Sequence, residues 1–587
     1  LVLKPGEEVR VIFLLGEGTR ENEKKIRAKY ANGPAADHVY EQLKVCWDKK
    51  INRLQIHTPD EGMNTLINTW TLYQAEVNIM FSRFASFIEV GGRTGLGYRD
   101  TSQGSMTVPH SNPEKCRQRI VELLRGLVKE GYGLHLFQPE WFDPEEKGKK
   151  PFKSPTVVPT PKLDDMIHGI EDTCSDDALW LVASINEYIK ETGEFSFLDE
   201  IYTYADGGEG SVYEHMKRIL DFSCRQVGED GICKGLRADW NDCLNLNCFS
   251  WDPNESFQTT ENKGEGSKAE SLMIAGLFVV TGKDYVALCK QLAKEALESK
   301  EGEIAGLAEE DYLTEAERMQ QAVDEMNEAV KQHGWDGEWF LRAYDFFGNK
   351  IGSDENEEGK IFIESQGWCT MAGIGLEEGL CDKALDSSKK RLECEHGLVL
   401  NNPAYTTYHV EMGEISSYPE GYKENAGIFC HNNPWVIIGE TVAGRGNDAW
   451  SHYTKILPSY VEEKYQTLHK VEPYVNCQMV AGKDAAKPGE GKNSWLTGTA
   501  AWMWYTVSEF ILGIKPDYEG LLIDPCLPST AKEYEVTRKF RGGEYHITVK
   551  NPSGNQKGVK QITVDGTPIS GTIIPCSEGK HEVVVEM

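Results

Sequence analysis

Residues 58–88 read TPDEGMNTLINTWTLYQAEVNIMFSRFASFI. Met63, Leu66, Ile67, Trp70, Tyr73, Val77, Met80, Phe81, Phe84 and Ile88 recur at the spacing that lays side chains along one broad helical stripe. A stripe of this width predicts a long buried helix. The helical period continues, with interruptions, from about Thr58 to Gly513. A second helix is expected to open at Asn112-Pro113, a capping residue followed by proline in the first turn, and to bury Ile120, Leu123, Leu124 and Leu127. Further amphipathic stretches fall at about 176–192, 211–227, 268–281, 312–332, 365–378, 433–443 and 498–513. The glycines of KETGEF and VVTGKD read as residues that end helices. Glycine- and aromatic-rich loops separate the stretches: GGRTGLGYRD, GLRADWNDCLNL, SYPEGYKENAGIF and NSWLTGTAAW. Many antiparallel helices with such loops at their ends suggest a toroid of helical hairpins.

The flanks differ. The opening LVLKPGEEVRVIFLLGEG reads as a strand between polar turns and lacks the basic start and cleavage site of a signal peptide. It begins on Leu rather than Met, so an upstream segment is expected. Residues 20–50 read as a charged helical connector, 137–165 as a surface loop and 299–325 as the solvated face of an acidic helix. After about Gly520 the pattern alternates in YEVTRKF, YHITVKN, KQITVDG and HEVVVEM, with Asn-Pro, Asp-Gly and Gly-Thr turns between them. This predicts a small closing β domain.

Across 587 residues, 62 basic side chains face 93 acidic ones, a net charge of −31. Such a chain repels nucleic acid and anionic membrane surfaces, so a phosphate ligand would need a local cluster of donors. No apolar run approaches the ~20 residues of a membrane span. The 15 cysteines are scattered and form no Cys-x-x-Cys pair, which favours reduced, buried thiols in a cytosolic enzyme over metal ligation.

The chemistry-bearing residues lie in the loops. In Trp240-Asn241-Asp242 an apolar wall beside a carboxyl suits a general acid, while a turn Asp beside a core Trp is the plainer reading. Thr497-Gly498-Thr499 runs into an apolar helix and fits either an anion site or an ordinary cap. His431, in FCHNNPW, reads as a structural hydrogen-bonder or a ligand contact. Arg83 lies within an apolar helix, where a charge needs a partner or a ligand. Tyr98, Arg99, Asp100, Trp240, Tyr418, Lys423 and Glu424 together favour a carbohydrate site, since aromatic faces stack on sugar rings and charged groups take their hydroxyls.

At these loops the chain resembles the inverting disaccharide phosphorylases of glycoside hydrolase family ninety-four, chiefly cellobiose and chitobiose phosphorylases, from end to end. The resemblance implies a mainly α fold: residues 1–20 as the last strand of an N-terminal β-sandwich, 21–57 as a helical linker, 58–519 as an (α/α)6 catalytic barrel and 520–587 as a C-terminal β domain. It implies Asp242 as general acid and Arg83, His431, Thr497 and Gly498 as phosphate donors. Arg93, Arg99, Asp100 and Trp240 would hold the transferred sugar, with Lys423 and Glu424 completing the cleft. Glu414, Tyr418 and Lys423 would meet the acceptor. Phosphate attacks without a protein base, giving an α-sugar 1-phosphate.

The partners implied are a disaccharide and inorganic phosphate, in a cytoplasmic homodimer without metal or organic cofactor. GGRTGLGYRDTSQ, GYGLHLFQPEWFDP and SPTVVPTP resemble the chitobiose enzymes. NCFSWDPNESFQTTENK, KIFIESQGWC and the region from Glu414 to Trp435 resemble the cellobiose enzymes. Gly104 departs from the family's usual Asp. The loop after Asp242 and the acceptor stretch make cellobiose the expected substrate, with laminaribiose and N,N'-diacetylchitobiose as alternatives. An inverting hydrolase using Glu424 as base, and a non-catalytic carbohydrate-binding remnant, are the rival classes.

Overall fold

A computed structural model describes residues 2–16, 18–30, 32–81, 95–139, 169–170, 173–247, 251–252, 268–299, 303–304 and 306–587. Residues 2–16 form no strand, contrary to the reading of 1–20 as a sandwich strand. A strand needs a neighbouring strand for its N–H and C=O groups; among the described residues this segment meets α2 only through side chains, Arg10 forking onto Asp37 at 2.6 and 2.7 Å, and Phe13 and Leu15 stand in solvent. Helices α1 (Arg20–Tyr30) and α2 (Gly33–Ile51) follow, the second capped by Asn32, which accepts from the Ala35 N–H at 3.0 Å. The connector then ends in a strand, β1 (Leu54–His57).

From Glu61 to Phe81 the backbone is helical throughout, ending in α3 (Thr71–Phe81) after a π-helical turn at Leu66–Trp70. The wider π turn rotates everything after it. Met63, Leu66 and Ile67 are buried as expected, but Trp70, Met80 and Phe81 face outward, and Leu72, Ala75 and Ile79 take the inner side. Trp70 stacks on Tyr474 instead. Phe84 and Ile88 lie outside the described residues.

Helices α4 (Tyr98–Thr107), α6 (Asp177–Thr192), α8 (Leu272–Glu298), α10 (Ile363–Met371), α12 (Asn433–Val442) and α14 (Thr499–Tyr505, extended by a π-helical Thr506–Ile511) pack each on the next. The last returns to α4, closing a ring. Outside them lie α3, α5 (Pro113–Arg125), α7 (Val212–Arg225), α9 (Glu309–His333), α11 (Leu380–Leu392) and α13 (Gly446–Ile456), each against a ring helix. The acidic stretch predicted as a solvated face is one side of α9, whose Tyr312, Met319, Val323 and Val330 are buried.

The ring's middle is aromatic. Trp180, Trp368, Trp435 and Trp502, from four different ring helices, meet with centroids 5.1 Å (Trp180–Trp368) to 6.0 Å (Trp180–Trp502) apart around the group. Such bulk requires close backbones elsewhere. A Cβ on Gly276 would stand 2.7 Å from the Trp368 carbonyl carbon, and one on Gly367 the same distance from Trp435 Cβ. Gly276→Ala, which must move backbone rather than a side chain, is expected to cost about 1–3 kcal/mol, read as a lower urea midpoint.

Helix α8 corrects two readings. Gly282 does not end it: the helix runs on to Glu298, and Gly282 lets it pack against Val323 of α9. It also holds a longer apolar stretch than expected, with an 18-residue window of mean hydropathy 1.6, 78% of it buried inside the protein.

The chain closes in a six-stranded sheet ordered β1-β2-β3-β6-β4-β5, with β2 Glu533–Phe540, β3 Gly543–Lys550, β4 Gln561–Val564, β5 Thr567–Ile569 and β6 Gly579–Glu586. Only the β3–β6 pair is parallel. Alternation buries Tyr534, Val536 and Phe540 on β2 and Tyr545, Ile547 and Val549 on β3. The Asp565-Gly566 turn has both residues at positive φ, as a two-residue hairpin demands. Buried Arg538 of β2 pairs with Glu191 of α6, tying the sheet to the ring. A further sheet of Ile514–Pro516, Gly520–Ile523 and Ile573–Pro575 crosses the expected boundary at 520.

Candidate active site

Arg99 lies in the first turn of α4 with its guanidinium buried. It forks onto Asp176, with Nε 2.5 Å and Nη2 2.8 Å from the two carboxylate oxygens. It also donates to the carbonyl oxygens of Asp239 (2.9 Å) and Trp240 (3.0 Å). Both terminal nitrogens reach Asp242 Oδ1 at 3.1 Å. Every donor of the planar fork is therefore engaged, and the residue expected to hold sugar also holds the loop that carries Asp242.

The loop is pinned from below as well. Arg342 and Asp239 form a fully buried two-point pair at 2.6 and 2.8 Å, and Ser271 Oγ donates to the same carboxylate at 2.7 Å. Burial alone would raise Asp239, but the guanidinium and these hydrogen bonds outweigh it and hold the group below its ordinary range. Asn241 donates to Glu364 at 3.2 Å. Trp240 and Asn241 are thus buried, whereas the Asp242 side chain is 36% exposed.

Trp240 presents its ring edge-on to Phe429, His431 and Trp435, at 5.3, 4.9 and 5.3 Å between centroids. His431 is buried, and neither ring nitrogen has a hydrogen-bond partner among the described residues. Burial, reinforced by the charge of Arg99, lowers its pKa to about 3, so the imidazole is neutral near pH 7. The unfolded chain takes up this proton near the ordinary value of 6.5 and the folded one does not. Stability on this account is lost as pH falls below about 6.5 and continues to fall toward 3. His431→Gln is expected to shrink the drop in urea midpoint between pH 7 and pH 5.

A three-stranded sheet of Ile428–Phe429, Cys477–Val480 and Gly491–Ser494 carries the His431 loop beside the Thr497 loop. Thr499 Oγ1 donates to the Cys477 carbonyl at 3.0 Å, and Thr497 Oγ1 takes the Thr499 N–H at 3.2 Å. Gly498 is the N-cap residue of α14, and Thr497 Oγ1 takes up one of that helix's first N–H groups from the residue before it. On the other side of Asp242, the Ile415 N–H donates to the Cys243 carbonyl at 2.9 Å and the Asn245 N–H to the Met412 carbonyl at 3.0 Å. Tyr418 donates to Glu414 at 2.6 Å, and its hydroxyl is 3.3 Å from Cys243 Sγ. Lys423 Nζ sits 4.7 Å over the Tyr418 ring. Burial, then the charges of Glu424 and Glu414, push the Cys243 thiol well above its ordinary range.

The structure thus brings Arg99, Trp240, Asp242, His431, Glu414, Tyr418 and Lys423 around one loop, with Asp100 adjacent on α4 and Gly104 buried in the same helix. Arg83 and Arg93 lie outside the described residues. Sequence reasoning missed His135, Cys174, Asp176, Asp177, Asp239 and Arg342. His135 Nδ1 lies 3.0 Å from Asp177 Oδ2, and its Nε2 lies 3.8 Å from Asp242 Oδ2. The signal for the carboxylates was available: two adjacent Asp residues at the start of a helix that is buried on nearly every side.

Asp242 thus stands part-exposed beside buried Trp240, held by a buried arginine of a ring helix. The chain belongs to the glycosyl hydrolase 94 superfamily, whose catalytic-domain model matches residues 46–513, and it is an enzyme of the disaccharide phosphorylase type. It is 44% identical over 585 residues to an N,N'-diacetylchitobiose phosphorylase of Vibrio proteolyticus, covering 99% of this chain and 68% of that one. Identity is 42% over 587 residues to the enzyme of the same name from Vibrio furnissii, covering 100% and 68%. It is 31% over 594 residues to the solabiose phosphorylase of Paenibacillus borealis, covering 100% and 67%.

Proposed function

We propose that this chain catalyses inverting phosphorolysis of N,N'-diacetylchitobiose, releasing α-N-acetylglucosamine 1-phosphate and N-acetylglucosamine. The alternation of inner and outer helices supports reading the ring as an (α/α)6 barrel. The observation that carries the reading is that Arg99 orients the part-exposed Asp242 carboxyl through Oδ1; in the proposed reaction Oδ2 protonates the leaving oxygen. Phosphate then attacks the anomeric carbon from the opposite face, and its own charge replaces the base that an inverting hydrolase needs. Arg83, neutral His431, Thr497 and Gly498 serve as its donors; Arg93, Asp100 and Trp240 hold the transferred sugar, and Glu414, Tyr418, Lys423 and Glu424 the acceptor.

The substrate differs from the expected cellobiose. Both Vibrio relatives carry the diacetylchitobiose name, at 44% and 42% identity. The cellobiose reading rested on the Glu414–Lys423 stretch, which is described, and on NCFSWDPNESFQTTENK, most of which lies outside the described residues. Reverse synthesis tests the choice: with N-acetylglucosamine as acceptor, α-N-acetylglucosamine 1-phosphate should couple faster than α-glucose 1-phosphate. Faster coupling of the glucosyl donor to glucose would restore cellobiose.

The phosphate assignment has its own test. His431→Ala and Thr497→Ala should raise the KM for phosphate by about tenfold or more while changing kcat less, since each removes a ground-state contact. An unchanged phosphate KM in both would remove these residues from the cradle.

A further inference from the structure

His135, Cys174 and Asp242 converge from three separate segments at the exposed edge of the acid's loop. His135 Nε2 is 3.8 Å from Asp242 Oδ2, Cys174 Sγ is 4.0 Å from Asp242 Oδ1, and one ligand atom from each residue lies within 4.8 Å of the others. Tetrahedral zinc, at ~2.3 Å from sulfur and ~2.0–2.2 Å from nitrogen or oxygen, separates such atoms by roughly 3.3–3.6 Å. Small side-chain rotations close the set.

A second observation points the same way. The other imidazole nitrogen is already committed, His135 Nδ1 lying 3.0 Å from Asp177 Oδ2. A carboxylate behind a histidine is the arrangement that orients metal-binding imidazoles, and here it turns Nε2 toward Cys174 and Asp242. Three carboxylates, Asp176, Asp177 and Asp242, face Arg99 and His135, and the Asp176 fork absorbs the Arg99 charge, so once His135 gives up its Nε2 proton the cluster keeps negative charge for a cation. His135 and Asp242 are 32% and 36% exposed, so an ion and a fourth, water ligand have access, while the soft ligand Cys174 is buried behind them.

We propose that His135, Cys174 and Asp242 bind a borderline-soft divalent cation, zinc before others, and that the bound ion inhibits the enzyme by occupying the carboxylate that donates the proton. The ligands bind deprotonated: the protons of Cys174 Sγ, His135 Nε2 and the Asp242 carboxyl all leave to solvent, and no electron is transferred. The inhibitory half rests on Asp242 being the acid; the binding half does not.

The test separates the two. Chelator-treated protein is titrated with Co²⁺, then with Zn²⁺, in wild type, Cys174→Ser and His135→Gln. The expected result is one cobalt site with a near-ultraviolet thiolate charge-transfer band that zinc displaces. The band is absent from Cys174→Ser, and affinity falls at least about tenfold in His135→Gln. In turnover, with each protein scaled to its own zinc-free rate, Cys174→Ser should need at least about tenfold more zinc than wild type for half inhibition. A cobalt band of wild-type strength in Cys174→Ser, or no cobalt binding by wild type, overturns the site. Binding that follows both residues without loss of turnover keeps the site and overturns the inhibitory half.

Discussion

Asp242→Asn should lose about 10²–10⁴-fold in kcat while its KM for the disaccharide and its urea midpoint stay close to wild type. The amide oxygen can still accept from Arg99, which holds Oδ1 at 3.1 Å from two nitrogens, so the loop keeps its place. What is lost is the acidic proton on the second oxygen. The change therefore separates chemistry from binding more cleanly than truncation to Ala, which would release Arg99 donors as well. A variant with more than a tenth of the wild-type rate would mean that another group protonates the leaving oxygen. A variant that also unfolds more easily would mean that Asp242 supports the loop rather than the reaction.

The second large effect lies one layer deeper. Arg342 and Asp239 are 0% and 1% exposed and bound at two points. Arg342→Met should destabilise the protein by about 3–5 kcal/mol, because it strands a buried carboxylate. It should also cut activity, since Asp239 accepts the Asn241 N–H at 2.9 Å and so shapes the turn that presents Asp242. The double variant Arg342→Met/Asp239→Leu removes the Asp239 charge but leaves buried Glu364, 3.6 Å from Arg342 Nε in the wild type, so it should recover part of the stability without recovering the activity. Urea unfolding of wild type, single and double variants measures this. A cost below about 1 kcal/mol for Arg342→Met would show that the pair does not hold the loop.

The helices were legible because their signals are local. Asn112-Pro113 opens α5 and residues 176–192 match α6 almost to the residue, since caps and apolar spacing act within a few turns. The strands of the closing sheet followed from alternation in the same way. What failed was non-local. Gly282 carries a stop signal, yet the packing of Val323 makes glycine useful inside a helix that continues. The π turn at Leu66–Trp70 reversed the outlook of Trp70, Met80 and Phe81, and no spacing rule anticipates a changed turn. At the site, Asp242 and His431 entered through the family resemblance, since a turn Asp and a structural His were the plainer local readings, and their supports drew no attention. Asp176 is 77 residues from Arg99, and Arg342 is 103 from Asp239, so only the closed ring brings them together.

The central claim is that a sugar is transferred to phosphate with inversion, with Asp242 supplying the proton. The direct measurement follows the cleavage of N,N'-diacetylchitobiose by phosphorus and proton NMR in phosphate buffer and in a phosphate-free buffer of equal pH. The account predicts one equivalent of α-configured N-acetylglucosamine 1-phosphate per free N-acetylglucosamine, no cleavage without phosphate, and neither product in the Asp242→Asn variant on the same timescale. Two free sugars formed at the same rate in both buffers, or a β-configured phosphate ester, would contradict it.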